Sequence, residues 1–145
     1  MSKNLIMKKS LFLILFWCLV SCSIDDTVTE DFRFEILPIE SVEMPTEMQF
    51  GEVYTIEYSY YKPTTCHIFS DLYYQSEGNF RTIAVINTVV NEINDVVCEP
   101  VNELVTNTFL FRCESTAGSY VFQFWQGENE QGEDLYLSYE VPISN

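Results

Sequence analysis

Apolar and polar side chains alternate with a period of two through most of this chain, and no other feature restricts its fold so tightly. Tyr54, Ile56, Tyr58 and Tyr60 are interleaved with Val53, Thr55, Glu57, Ser59 and Tyr61. In an extended strand that spacing puts one set on each face, whereas a helix would scatter both sets around its circumference. The pattern begins at Phe32, where Phe34, Ile36 and Val42 sit among Arg33, Glu35, Glu40 and Glu43, interrupted at Pro38. Residues 45–51 read as a turn and residues 65–75 as a strand. The run Ser76-Glu77-Gly78-Asn79 then folds that strand back onto Phe80–Val90 as a hairpin. Residues 91–103, with Asn91, Asn94, Asp95 and Pro100, lack periodicity and read as a loop. Val105–Cys113, Tyr120–Gln126 and Leu135–Ile143 complete a count of seven strands with no convincing helix. The expectation is an all-β domain over residues 32–145, a single antiparallel seven-stranded sandwich.

A local motif refines this. Ala117-Gly118-Ser119-Tyr120-Val121-Phe122 resembles the tyrosine corner of immunoglobulin-like domains, with Gly118 and Tyr120 at the matching positions. The resemblance implies that the Tyr120 hydroxyl bonds back to the backbone just upstream. It also implies an Ig-like order, with the strand over 65–75 beside the strand over 120–126. Thr116 stands where the family has an acid and Phe122 where it has its second bridging cysteine, so the family's inter-sheet disulfide has no counterpart here.

The first 21 residues differ in kind. Lys3, Lys8 and Lys9 precede ten apolar residues, Leu11–Val20, against roughly 20 needed to span a bilayer. A positive start, a short apolar run and a small residue at its end describe a secretory leader. Leu19-Val20-Ser21-Cys22 resembles the lipobox of bacterial lipoproteins. The resemblance implies cleavage before Cys22 and acyl chains on that cysteine, so the membrane is contacted through lipid. Residues 22–31, polar and acidic, become the tether. Ser23 stands where an aspartate would retain such a protein in the inner membrane, which favours the outer membrane. Asp25-Asp26 resembles short acidic surface-export signals, and both the periplasmic and the external side stay open.

From Cys22 onward the chain carries 22 acidic residues against Arg33, Lys62, Arg81 and Arg112, a net charge of −18. Nucleic acid needs a basic face and is excluded as a partner. The same charge repels an anionic membrane surface and keeps a tethered domain soluble. In an oxidising envelope Cys66, Cys98 and Cys113 can form one bridge. Cys66–Cys98 is the expected pair, pinning the irregular loop; pairings through Cys113, or no bridge, are the alternatives. The spacing has no CxxC element, so no metal site is expected.

Catalytic arrangements are absent as motifs. His67, the one histidine, adjoins Cys66 and reads as an exposed strand residue. Carboxylates are abundant, but none is singled out as an acid–base pair, so a small hydrolase ranks third among the functional readings. The acidic run Glu128–Asp134 reads as a β-turn rather than a calcium loop, and no cofactor beyond the lipid is implied.

Strand parity offers one surface. If Tyr120 points inward, so do Phe122 and Phe124, and Trp125 faces out. A symmetric hairpin closing at residues 127 and 134 then sets Trp125 opposite Tyr136, with Leu135, Leu137, Tyr139 and Val141 inward. With Cys66 inward, His67, Phe69 and Tyr73 join the same outer face. Trp125, Tyr136, Phe69 and Tyr73 are thus the candidate binding residues, suited to a protein or glycan partner. The leading reading is a non-enzymatic, lipid-anchored binding module of the outer membrane. The second is an accessory subunit that buries the same aromatics against a fixed partner in an envelope complex.

Overall fold

Pro38 decides how the leading segment is used. Proline removes a backbone donor and fixes φ, and here it divides the expected strand into β1 (Phe32–Leu37) and β2 (Ile39–Glu43). The computed structural model describes residues 31–91 and 97–144; the leader, Cys22 and residues 23–30 lie outside them. The remaining strands are β3 (Met48–Gln49), β4 (Val53–Thr64), β5 (His67–Glu77), β6 (Phe80–Val90), β7 (Pro100–Arg112), β8 (Ser119–Glu128) and β9 (Asp134–Ser144). No helix long and apolar enough to cross a membrane occurs among the described residues.

Among the described residues the architecture is all-β, two sheets in a sandwich-like packing, but with nine strands rather than seven. Two changes account for the difference. The halves of the leading strand enter different sheets, β1 pairing with β6 and β2 with β4. Met48–Gln49, expected within a turn, pairs in parallel with the end of β9.

The smaller sheet runs β2-β4-β7, and the larger contains β1, β3, β5, β6, β8 and β9. β5 occupies one edge of β6 along nearly its whole length, from Phe80 to Val89. The other edge is shared: residues 80–83 pair in parallel with β8, and residues 85–90 pair antiparallel with β1. This overturns the expected adjacency, because β6 and not β5 stands next to β8. The inserted hairpin partner takes the inner place and leaves β5 at the sheet edge.

Alternation builds the core. Ile56, Tyr58 and Tyr60 of β4 are buried against Ile83 and Val85 of β6 and Phe122 and Phe124 of β8 in one cluster. Phe111 packs edge-on against Tyr120 and Phe122, at 4.9 and 5.0 Å between ring centres, an arrangement that ring quadrupoles favour. The Tyr120 hydroxyl accepts the backbone N–H groups of Glu114 and Ser115, both at 3.0 Å. Gly118 precedes it at φ 85°, a conformation that a side chain would strain.

A disulfide joins Cys66 to Cys98, as expected, with 5.3 Å between their Cα atoms. Cys113 is free and buried, its thiol directed at the Ser115 carbonyl. The bridge brings the chain beside the end of β4: Thr65 N–H donates to Glu99 O, and Thr64 pairs with Pro100. β7 therefore begins at Pro100 rather than Val105. Asn102, at φ 46°, lies beside the register shift that the longer pairing requires.

Candidate functional site

The outer face of the larger sheet carries the candidate residues, and pairing fixes their places. Tyr73 pairs with Ala84 across β5 and β6. Ile83 pairs in parallel with Phe124, so the next residues, Ala84 and Trp125, lie side by side. Trp125 in turn pairs with Tyr136. A row Tyr73, Ala84, Trp125, Tyr136 thus crosses four strands, and the small Ala84 leaves a trough between aromatic walls. The resulting cleft, about 410 Å³, is also lined by Ile36, Gln75, Thr82, Glu128 and Asp134.

Polar bonds hold the walls. The Trp125 indole N–H donates to Asp134 Oδ1 at 2.7 Å, and the Tyr136 hydroxyl lies 3.4 Å from Oδ2 of the same carboxylate. The Tyr73 hydroxyl donates to Gln75 Oε1 at 2.8 Å. Tyr136 is held above the ordinary phenol pKa, first by desolvation and then by the Asp134 charge.

The Trp125–Tyr136 pairing arises by a different route from the one the sequence suggested. The hairpin closes at Glu128 and Asp134, one residue off a symmetric closure, and a bulge at Gln126 restores register before Trp125. Gly127, at φ 105°, permits that bulge. Leu135, expected inward, pairs instead with Gly127 and is 46% exposed.

Phe69 does not join the site. The register of β5 shifts between Phe69 and Asp71, so Phe69 pairs with Asn87 while Tyr73 pairs with Ala84. Asn87 and Ala84 point to opposite sides of β6, and Phe69 therefore lies on the opposite face from Tyr73. The same bulge turns His67 inward, where it is 5% exposed instead of facing solvent. Its Nδ1 lies 2.8 Å from Thr64 Oγ1, and its Nε2 is 3.5 Å from Glu35 Oε2, within ion-pair reach but without a hydrogen bond. Hydroxyl, imidazole and carboxylate are thus in line, yet Thr64 Oγ1 also accepts Cys66 N–H at 3.3 Å and braces the β4–β5 turn.

The acidic turn is organised by Asn129, whose Oδ1 accepts the N–H groups of Gln131 and Glu133, both at 2.9 Å. Among the described residues no three His, Cys, Asp or Glu side chains converge as a metal site.

Sequence reasoning read the β1 strand but not its place beside the candidate face. Its outward residues Phe32, Phe34 and Ile36 pair with Val90, Thr88 and Ile86 and extend the apolar face beyond the cleft. Phe34 is 64% and Ile36 50% exposed. Their alternation with Arg33 and Glu35 carried the signal, but only the pairing with β6 gives that face a neighbour. No protein-family model, curated protein or solved structure matches this chain.

Proposed function

We propose that this protein is a non-catalytic binding module, lipid-anchored through Cys22 at the outer membrane, that presents the Tyr73–Trp125–Tyr136 cleft to a ligand. The convergence of those three aromatics from β5, β8 and β9 around Ala84 is the observation that carries the reading. Aromatic walls pinned by Asp134 and Gln75 lose little side-chain entropy when a ligand stacks on them. We carry the immunoglobulin-like relationship as part of the same proposal. The bonds from Glu114 and Ser115 to the Tyr120 hydroxyl support it, while the parallel β6–β8 pairing departs from the order it implies.

The test is crosslinking and pull-down from intact cells with the wild type and Trp125→Ala. A partner captured by the wild type and lost from the variant supports the reading; an unchanged capture profile removes the cleft as the site. The second reading, an accessory subunit, is favoured by the exposed Phe32, Phe34 and Ile36, since contiguous apolar surface marks stable interfaces. With the interface moved from the cleft aromatics to β1, it predicts one stoichiometric partner that co-purifies from membranes and is lost from Phe34→Ser but retained by Trp125→Ala.

A further inference from the structure

We infer that the ligand of the cleft is an arginine side chain presented by a basic protein segment. This rests on the reading of the cleft as a binding site and names its chemistry. The first argument is charge. Glu128 and Asp134 line the cleft, and among the described residues the Asp134 carboxylate is bonded by the neutral donors of Trp125 and Tyr136. Every cation among the described residues is engaged elsewhere. Arg33 pairs with Glu35 and Lys62 with Glu103. Arg112 donates to Gly51 O, and Arg81 is buried between the sheets with its guanidinium over Tyr120 at 4.9 Å. The carboxylates of the cleft therefore have no countercharge within the described fold, and a ligand that covers them must bring one or leave them desolvated and unpaired.

The second argument is shape. Tyr73 and Trp125 stand on strands separated by β6, with the small Ala84 between them in register. Two strand spacings put their backbones roughly 9–10 Å apart. A flat group stacked between two rings needs about 3.5–4 Å on each side. A guanidinium is planar, stacks on aromatic faces and offers a fork of donors to carboxylates. An ammonium fills the same slot without stacking, and a pyranose stacks without neutralising either acid.

The test is calorimetric titration of the full-length chain in detergent with a short Gly–Ser peptide carrying arginines. Controls are the same peptide with lysines and a neutral glucose oligosaccharide. Binding of the arginine peptide is expected, with Trp125→Ala and Asp134→Asn each weakening it about tenfold. Trp125→Ala conserves the charge, so undiminished binding would reveal diffuse attraction to an acidic protein and overturn the inference. Tyr73→Ala repeats the test from the other wall should Trp125→Ala fail to fold, which the near-ultraviolet circular dichroism of the core tyrosines reports. Equal affinity for the lysine peptide overturns the assignment to arginine. Trp125-dependent binding of the oligosaccharide, with none of the peptide, overturns the inference while sparing the cleft as a site. Loss of both, with an unchanged pull-down profile, removes the site itself.

Discussion

Tyr58 shows what a buried phenol does to this fold. It sits at the centre of the core on β4, fully buried, and desolvation pushes its hydroxyl from 10.0 up to about 12, against the opposing effect of its bond to Asn107. A raised pKa means that the folded state resists releasing a proton which the unfolded chain gives up more readily. The stabilisation is complete below pH 10.0 and is lost as pH climbs towards about 12. Tyr60 and Tyr74 are raised in the same direction by burial. Tyr58→Phe should cost about 1 kcal/mol at neutral pH through its bond to Asn107. It should also flatten the alkaline decline of stability, as read from urea midpoints across that window. Parallel curves for wild type and variant would show that Tyr58 does not carry the effect. Alternation sets Tyr58 on one face with Ile56 and Tyr60, and the tyrosine-corner resemblance at Tyr120 turns Phe122 and Phe124 inward, where the structure has them. The place of Phe69 is not legible, because a single extra residue at Ser70 reverses every parity upstream of it, and nothing in Ile68-Phe69-Ser70-Asp71 marks the bulge.

At the scale of elements, the first half of β7 depends on a bond that lies outside the strand. Residues 100–104 pair with the end of β4 through an irregular register and are exposed, whereas Phe109 and Phe111 further along pack into the core. The Cys66–Cys98 bridge, with a sequence separation of 32, limits the unfolded chain by about 3–4 kcal/mol in the loop-entropy model. Replacing both cysteines with serine should lower unfolding free energy by up to that amount. It should also remove hydrogen-exchange protection from Glu99 and residues 101–104 while Thr106–Arg112 keeps it. Uniform loss along β7 would mean that the bridge supports the whole sandwich rather than the end of one strand. The same contrast explains why the sequence showed β7 only from Val105. Polar Asn102 and Glu103 gave no strand pattern, and a disulfide partner distant in sequence supplied the pairing. The split of the leading strand was half legible: Pro38 marked the break, but the transfer of β2 to the other sheet depends on β4 being there to receive it.

For the whole molecule, the proposed membrane attachment can be weighed against the charge of the described domain. The described domain is strongly acidic, with its four basic groups engaged internally, and an anionic bilayer repels such a surface. In the proposed reading attachment would come from acyl chains on Cys22, each buried methylene contributing about 0.8 kcal/mol. Among the described residues β1 begins at Phe32, and the first backbone pairings are those of Phe32 with Val90 and of Asn91 N–H on Asp31 O. Folding should thus be indifferent to the chemistry at residue 22. Cys22→Ala is expected to move the protein from the membrane pellet to the soluble fraction at both low and high salt, with the far-ultraviolet strand signal and urea midpoint of the wild type. Retention that survives high salt would place the anchor elsewhere, in an uncleaved leader or in the apolar β1 face. Phe34→Ser in the Cys22→Ala background separates those two: release would assign the attachment to the face, and continued retention to the leader.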